Sequence, residues 1–354
     1  MDEFIIPNEL RFAVTRKCDG LCRHCYNHSG GFKDELSSAD FISILNEVYS
    51  LNPSLDRITL TGGEPLLEKE KVLQISRFAR SLNIRVRLVT RGWELNRQLC
   101  VELKESGVTR LQIGLDSSGN TGYLDNHSCG WDTVHSWLRG DPEGFKKTIH
   151  AIRLALECGI NVSIRYSLCK SNVQDVIETY HLVSSMGVSK FKFRILFPDG
   201  RAKNSLVSEL ICGKEMADAQ FDLIMASKGN STEVEITQPC CYDLSARGFP
   251  ETNGFKINAF KEACPCGTIA AYVDANGDVK YCLFDESILG NVTSGSLLNV
   301  WNSGKAIESR RLRCPLDKSG VGCSTFKLLY EQFNDYSVFM KEYSEKARAN
   351  REFI

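Results

Sequence analysis

The sequence predicts an α/β protein in which a partial (β/α)6 barrel precedes a small C-terminal domain of β-hairpin and helix. Alternation carries the first half of that expectation. From residue 9 to about 197, short apolar, β-branched runs trade places with stretches of helical periodicity. The second half rests on AAYVDANGDVKYC at 270–282, which alternates on either side of Asn276-Gly277 and so marks a tight hairpin. A third observation ties architecture to chemistry. A cysteine triplet follows the first run and Gly62-Gly63-Glu64 follows the second, which places both at the C-terminal ends of strands.

Taken in order, strands are expected at Leu10 to Thr15, Arg57 to Leu60, Val86 to Thr90, Leu111 to Leu115, Val162 to Leu168 and Phe191 to Phe197. Helices are expected near 39–50, 68–82, 94–106, 143–158 and 172–186. This order calls for a parallel sheet with right-handed crossovers, and six units suit an incomplete barrel better than an open sheet. Residues 117–142 interrupt the pattern with turn formers. They predict a long ordered loop on the site face that exposes Tyr123, His127, Trp131, His135 and Trp137, either as a substrate lid or as an insertion on the barrel flank. Beyond it come a turn at Pro198-Asp199-Gly200, a helix around 208–227 and a short strand near 234–237. Phe326 to Ile354 has the pattern of an aromatic-rich amphipathic helix. The boundaries that follow are 1–200 for the barrel, 201–260 for a connecting region, 261–325 for the hairpin domain and 326–354 for the last helix.

With 354 residues, 42% hydrophobic and 25% charged, the chain can bury a large core. Its 43 basic and 44 acidic residues leave a net charge of -1, so no global field draws it to nucleic acid or an anionic membrane, and neither is expected as a partner. The opening MDEFIIPNELRF is neither a signal peptide nor a membrane span, which predicts a cytoplasmic location. Fifteen cysteines in such a chain favour metal or cluster ligation over disulfides. Three lie at 18–25, a pair at 240 and 241, and five between 264 and 323. Cys100, Cys129, Cys158, Cys169 and Cys212 stand apart and read as small buried hydrophobes.

Cys18, Cys22 and Cys25 put three thiolates within eight residues, a spacing that wraps a cubic iron-sulfur cluster and leaves its fourth iron open. Structural zinc normally takes four closed ligands, and no fourth cysteine lies nearby. The C-x3-C-x2-C spacing, together with LTGGEPLL at 60–67, resembles the radical S-adenosylmethionine superfamily. That resemblance implies a [4Fe-4S] cluster whose open iron binds the amino and carboxylate groups of S-adenosylmethionine. It also implies reductive cleavage to a 5′-deoxyadenosyl radical that abstracts a substrate hydrogen. Gly62, Gly63 and Glu64 would then hold the methionine amino group, and His24 would stand where an aromatic usually touches adenine. Arg165 resembles the arginine that pairs with the methionine carboxylate, and Leu196 an apolar adenine contact. Gly114 stands where relatives commonly carry a serine near the ribose.

Cys264, Gly277 and Cys282 resemble the opening of the auxiliary-cluster domain called SPASM, or twitch in its shorter form. A C-x2-C-x5-C-x3-C run is absent, so the shorter form is expected, with Cys264, Cys282, Cys314 and Cys323 around one auxiliary [4Fe-4S] cluster and Cys266 as an alternative ligand. Four thiolates on a hairpin and loop also suit tetrahedral zinc. The resemblance implies an oxidoreductase or epimerase that modifies a ribosomally made peptide by epimerisation, cross-linking or oxidation. A small natural-product intermediate such as a sugar or aminocyclitol is the alternative substrate, and a noncatalytic iron-sulfur or zinc protein is a further alternative. Cys240 and Cys241 are candidate hydrogen donors for a substrate radical. An external electron donor such as flavodoxin or ferredoxin is expected.

Overall fold

The computed structural model describes residues 4–27, 29–30, 36–121, 130–196, 200–211, 213–236, 270–282 and 287–313. Its strands are β1 (Glu9–Thr15), β2 (Arg57–Gly62), β3 (Arg85–Thr90), β4 (Val108–Gly114), β5 (Asn161–Leu168), β6 (Lys190–Ile195), β7 (Glu233–Ile236), β8 (Ala270–Val273), β9 (Asp278–Lys280) and β10 (Gly290–Asn291). They form one sheet in the order β10-β9-β8-β1-β2-β3-β4-β5-β6-β7. From β8 through β1 to β7 every neighbouring pair is parallel. The pairs β8–β9 and β9–β10 are antiparallel.

All six expected strands are present, and the sheet is one strand longer at one edge and three strands longer at the other. At one edge β7, placed by pattern in a connecting region, pairs with β6. At the other, the first strand of the expected hairpin adds to β1, with Leu10 beside Ala271 and Phe12 beside Val273. The hairpin therefore continues the barrel sheet. Its attachment satisfies backbone donors and acceptors that an open β1 edge would leave unpaired.

The helices are α1 (Ser38–Leu51), α2 (Lys69–Ser81), α3 (Arg97–Ser106), α4 (Val134–Arg139), α5 (Gly144–Glu157), α6 (Val176–Ser185), α7 (Ala202–Ser205), α8 (Gly213–Ser227), α9 (Leu297–Trp301) and α10 (Gly304–Arg313). Local signals set their ends. Ser37 and Asp40 form a capping box at the start of α1, and Gly107, at φ 106°, closes α3. The apolar residues of each strand face these helices: Leu10, Phe12, Ile58, Leu60, Val86 and Leu88 are buried in one core with Phe41, Leu45 and Val72. The alternate residues face the other way, and most are polar. Arg11 on β1 is felt by Arg194 on β6, although five strand spacings of about 4.8 Å would hold them far apart in a flat sheet, so the sheet curves around its polar face.

Two contacts tie the C-terminal elements to the barrel. Arg16, just after β1, grips Asp274, just after β8, through Nε at 3.0 Å and through a second bond from Nη2. Glu47 on α1 accepts from the backbone N–H groups of Leu297 and Leu298 at 3.2 and 3.1 Å, which places a carboxylate at the start of α9.

The interrupting segment differs from expectation. Its second half folds into α4, with His135 fully buried and Trp137 only 5% exposed in a small cluster with Val134, Leu138, Leu196 and Leu206. Thr133 starts this helix by accepting from Ser136 N, and Gly140 ends it. Tyr123 and His127 lie outside the described residues, as do the expected C-terminal helix at 326–354, Cys129 and Cys212. Cys100 and Cys169 are buried and Cys158 half-buried.

Candidate active site

The site begins where β1 and β2 end. Gly63 N donates to Thr15 O and Glu64 N to Lys17 O, both at 2.8 Å, so the turn after β2 lies directly on the backbone that leads to Cys18. Side chains at 62 or 63 would collide with those same carbonyls, and Gly62 has φ 143°. The two glycines thus set the approach of two backbones, whereas the sequence pointed to approach of a ligand. Cys18, Cys22 and Cys25 then line a pocket together with the 62–64 turn, His24, Arg139 and Arg165.

The cysteine loop is held from two distant parts of the chain. Arg201 donates from Nε to Cys22 O at 2.9 Å, from Nη1 to Ser29 O at 3.2 Å and from Nη2 to Gly20 O at 3.3 Å. On the other side, Arg23 N donates to Leu138 O at 2.8 Å and Arg23 Nε to Trp137 O at 3.1 Å. The Arg23 guanidinium lies 5.7 Å from the ring centre of Trp131 and 5.6 Å from that of Trp137. These contacts make α4 a brace for the loop. His24 Nδ1 is 3.3 Å from Leu138 O, and burial, helped by Arg139, pulls its pKa down to about 3. The ring is neutral, and donation from Nδ1 leaves Nε2 as an acceptor.

Glu64 is fully buried, and its carboxylate is already engaged. It accepts from Leu66 N at 3.1 Å, Thr90 Oγ1 at 2.6 Å, Arg91 N at 2.9 Å and Arg91 Nε at 3.3 Å. Arg91 in turn donates to Asp19 in the cysteine loop at 2.5 Å and to Glu94 at 2.7 Å. Burial and the Glu64 charge push the Glu94 carboxyl up to about 7.

Arg139 is the pocket residue that the sequence did not single out. It fills the space that any side chain at Gly114 would need. Its Nη2 donates to Asp116 Oδ2 at 2.7 Å, while Asp116 Oδ1 accepts from Ser167 N at 2.9 Å. His135 accepts at Nδ1 from Asp116 N at 3.1 Å and meets Thr148 Oγ1 through Nε2 at 3.1 Å. Burial works against an Asp116 carboxylate, yet the Arg139 charge holds its pKa well below the usual range. Arg165 also lines the pocket, as do Arg91 and Arg201. Leu196 does not: its side chain packs with Trp137, Ala202 and Leu206. For Arg139 the one sequence signal was Gly114, the absence of a side chain where relatives carry one.

The donor set fits a cluster. Three cysteine sulfurs are the ligands that iron-sulfur cubanes take. Among the described residues no three His, Cys, Asp or Glu side chains converge tightly enough for a single metal ion, as thiols that each serve a different corner of a cube need not. Burial pushes the Cys18 thiol up, a cost that ligation as thiolate removes. At the hairpin, Cys282 is half-buried and close enough to Arg194 and Tyr272 to act on both electrostatically. Cys240, Cys241, Cys264, Cys266, Cys314 and Cys323 lie outside the described residues.

A strand-end cysteine triplet beside a Gly-Gly-Glu turn on a curved parallel sheet defines the class, and residues 12–183 match the model of the radical SAM superfamily. A SPASM domain, described as an iron-sulfur cluster-binding domain, matches residues 264–324. The two domains imply a [4Fe-4S] cluster that works with S-adenosylmethionine and an auxiliary cluster. The AdoMet-dependent heme synthase of Methanosarcina barkeri is 23% identical over 328 residues, 89% of this chain and 87% of the relative. The sporulation killing factor maturation protein SkfB of Bacillus subtilis is 24% identical over 311 residues, 87% and 67% of the two chains. Among solved structures, Streptococcus suis SuiB bound to precursor peptide SuiA shares the fold, with TM-score 0.65 and 14% identity over 91% of this chain and 70% of that one. Among the described residues no helix is long and apolar enough to cross a membrane.

Proposed function

We propose that the protein reductively cleaves S-adenosylmethionine and uses the resulting 5′-deoxyadenosyl radical to abstract hydrogen from a ribosomally made peptide, which it epimerises, cross-links or oxidises. The observation that carries this reading is the pocket in which Cys18, Cys22 and Cys25 meet the Gly62–Glu64 turn, Arg139 and Arg165. When bound, the cluster supplies the electron that breaks the sulfonium bond. The protein's part is positioning. The 62–64 turn meets the methionine amino group through its backbone, because the Glu64 carboxylate already accepts from four donors. Arg139 and Arg165 meet the methionine carboxylate. His24 offers a neutral acceptor to the adenine. Cys264, Cys282, Cys314 and Cys323, or Cys266 in place of one, hold the auxiliary cluster, Cys240 or Cys241 returns a hydrogen atom in an epimerisation, and flavodoxin or ferredoxin supplies electrons.

Peptide maturation is supported by the likeness to SkfB. A small organic substrate is the second reading, favoured by the heme synthase that this chain matches over 87% of its length. Anaerobic reconstitution tests the common core. Two cubanes predict about eight iron atoms per chain and 5′-deoxyadenosine after reduction, and Ala at positions 18, 22 and 25 together should remove about four iron atoms and all cleavage. Zinc in place of the other four would overturn the auxiliary-cluster assignment.

A further inference from the structure

A guanidinium carries five N–H donors, and burying any of them without an acceptor costs free energy. Arg91, which directly follows β3, is 7% exposed. Its Nε donates to Glu64 and its Nη2 to Asp19 and Glu94, and its Cζ lies 4.4 Å from the ring centre of Trp93. Nη1 is also buried, and it has no hydrogen-bond partner among the described residues. Three carboxylates therefore fix the group and compensate its charge. What it still has to give is the Nη1 donor.

That donor lies against the cysteine loop, and Arg91 lines the same pocket as Cys18. A β-carbon at Gly20 would sit 2.7 Å from Nη1 and 3.5 Å from Cys18 Sγ, so the orphan donor and the sulfur are no more than about 6 Å apart. The Gly20 backbone does not lie in the left-handed region that favours glycine, and what a side chain there would displace is the guanidinium. Arg91 also favours the Cys18 thiolate electrostatically, against Cys22 and Glu64. Hydrogen bonds to sulfur are among the levers that set the reduction potential of an iron-sulfur cluster. Reduction adds negative charge, so a donated hydrogen bond favours the reduced form and raises the potential.

Resting on the radical SAM reading above, we propose that Arg91 donates a hydrogen bond from Nη1 to a sulfur of the first cluster on its Cys18 side, and thereby raises that cluster's reduction potential. Asp19, Glu64 and Glu94 hold the guanidinium in position, and Gly20 leaves the gap through which Nη1 reaches sulfur.

The test is a redox titration of the anaerobically reconstituted full-length enzyme, followed by electron paramagnetic resonance without S-adenosylmethionine. The signal missing from protein with Ala at 18, 22 and 25 belongs to the first cluster. Arg91→Lys keeps a cation among the three carboxylates but removes the Nη1 donor. It should lower the ratio of reduced to oxidised first cluster at a fixed potential about tenfold, a downward shift of about 59 mV for one electron. Gly20→Ala keeps Arg91 and its carboxylates but puts a methyl group in the place of Nη1, and should shift the potential in the same direction. Iron content and S-adenosylmethionine affinity, the latter by calorimetry, are measured on each variant and should stay near wild type. An unchanged potential in either variant that retains the first cluster would overturn the proposal. So would S-adenosylmethionine affinity that falls while the potential stays put, because Nη1 would then serve that ligand. If Arg91→Lys does not fold, Gly20→Ala decides, and loss of the first cluster from it as well would leave Arg91 a brace for the loop and overturn the redox role. Wild-type protein that shows no first-cluster signal and makes no 5′-deoxyadenosine would sink the radical SAM reading instead.

Discussion

Glu64→Gln distinguishes a glutamate that holds the protein together from one that holds its ligand. The substitution keeps the size of the side chain and an oxygen for Leu66 N and Thr90 Oγ1, but turns an NH2 group toward the two Arg91 donors at 2.9 and 3.3 Å. Losing two charge-assisted hydrogen bonds at a fully buried site costs about 1.5–3 kcal/mol each. Part of this returns, because Glu94, pushed up to about 7 partly by Glu64, ionises more readily beside Arg91 once that charge is gone. The expected net loss is about 3 kcal/mol, or roughly 4 °C in Tm for a chain of this size. Arg91 also holds Asp19 in the cysteine loop, so iron content at the first cluster should fall with it. Differential scanning fluorimetry and iron analysis without S-adenosylmethionine read both effects. A Tm within about 1 °C of wild type, combined with S-adenosylmethionine binding weakened more than about tenfold, would refute the argument and make the carboxylate a direct ligand.

Two further outcomes follow from the same geometry. Burial raises the pKa of Glu9, but Arg11, Arg87 and Arg57 outweigh it and hold the carboxyl down to about 2 from an ordinary 4.5. A depressed folded-state pKa stabilises above the unfolded value, so about 3 kcal/mol is present above pH ~4.5 and is lost as pH falls toward 2. Urea unfolding between pH 5 and 3 should therefore steepen, and Glu9→Gln should flatten that dependence; identical curves would count against the ion cluster. Trp137→Ala removes a side chain 5% exposed, at a cost of about 3–5 kcal/mol, and releases Arg23, so iron occupancy of the first cluster should drop. A lid would instead lose substrate affinity and uncouple 5′-deoxyadenosine formation with both clusters intact.

Much of the fold was legible because its signals are local. Strand and helix periods lie within windows of ten residues, and Asn276-Gly277 needs only its own φ angles to turn the chain between β8 and β9. The cysteine triplet was legible for the same reason, since three thiols within eight residues share one loop whatever the rest of the chain does. Exposure in the 117–139 segment differs from expectation: turn formers announce a loop, while Trp137 and His135 find buried partners on the cysteine loop, just after β4 and on α5.

The sequence by itself determined the ligand chemistry: the cysteine triplet, the glycine turn against it and the barrel that brings strand ends together. Tertiary structure decided which distant groups serve that chemistry. Arg139 is recognisable only once α4 brings it into the space left by Gly114, and Arg201 only once it wraps carbonyls some 180 positions away. Glu64 changed meaning for the same reason, because its hydrogen-bond capacity is filled by Thr90 and Arg91 from the end of another strand. The attachment of β8 to β1 joins residues 261 positions apart, and no local pattern encodes that pairing. A side chain's type is written in the sequence, whereas the charge, burial and hydrogen bonds that give it a role come from neighbours that only the folded chain supplies.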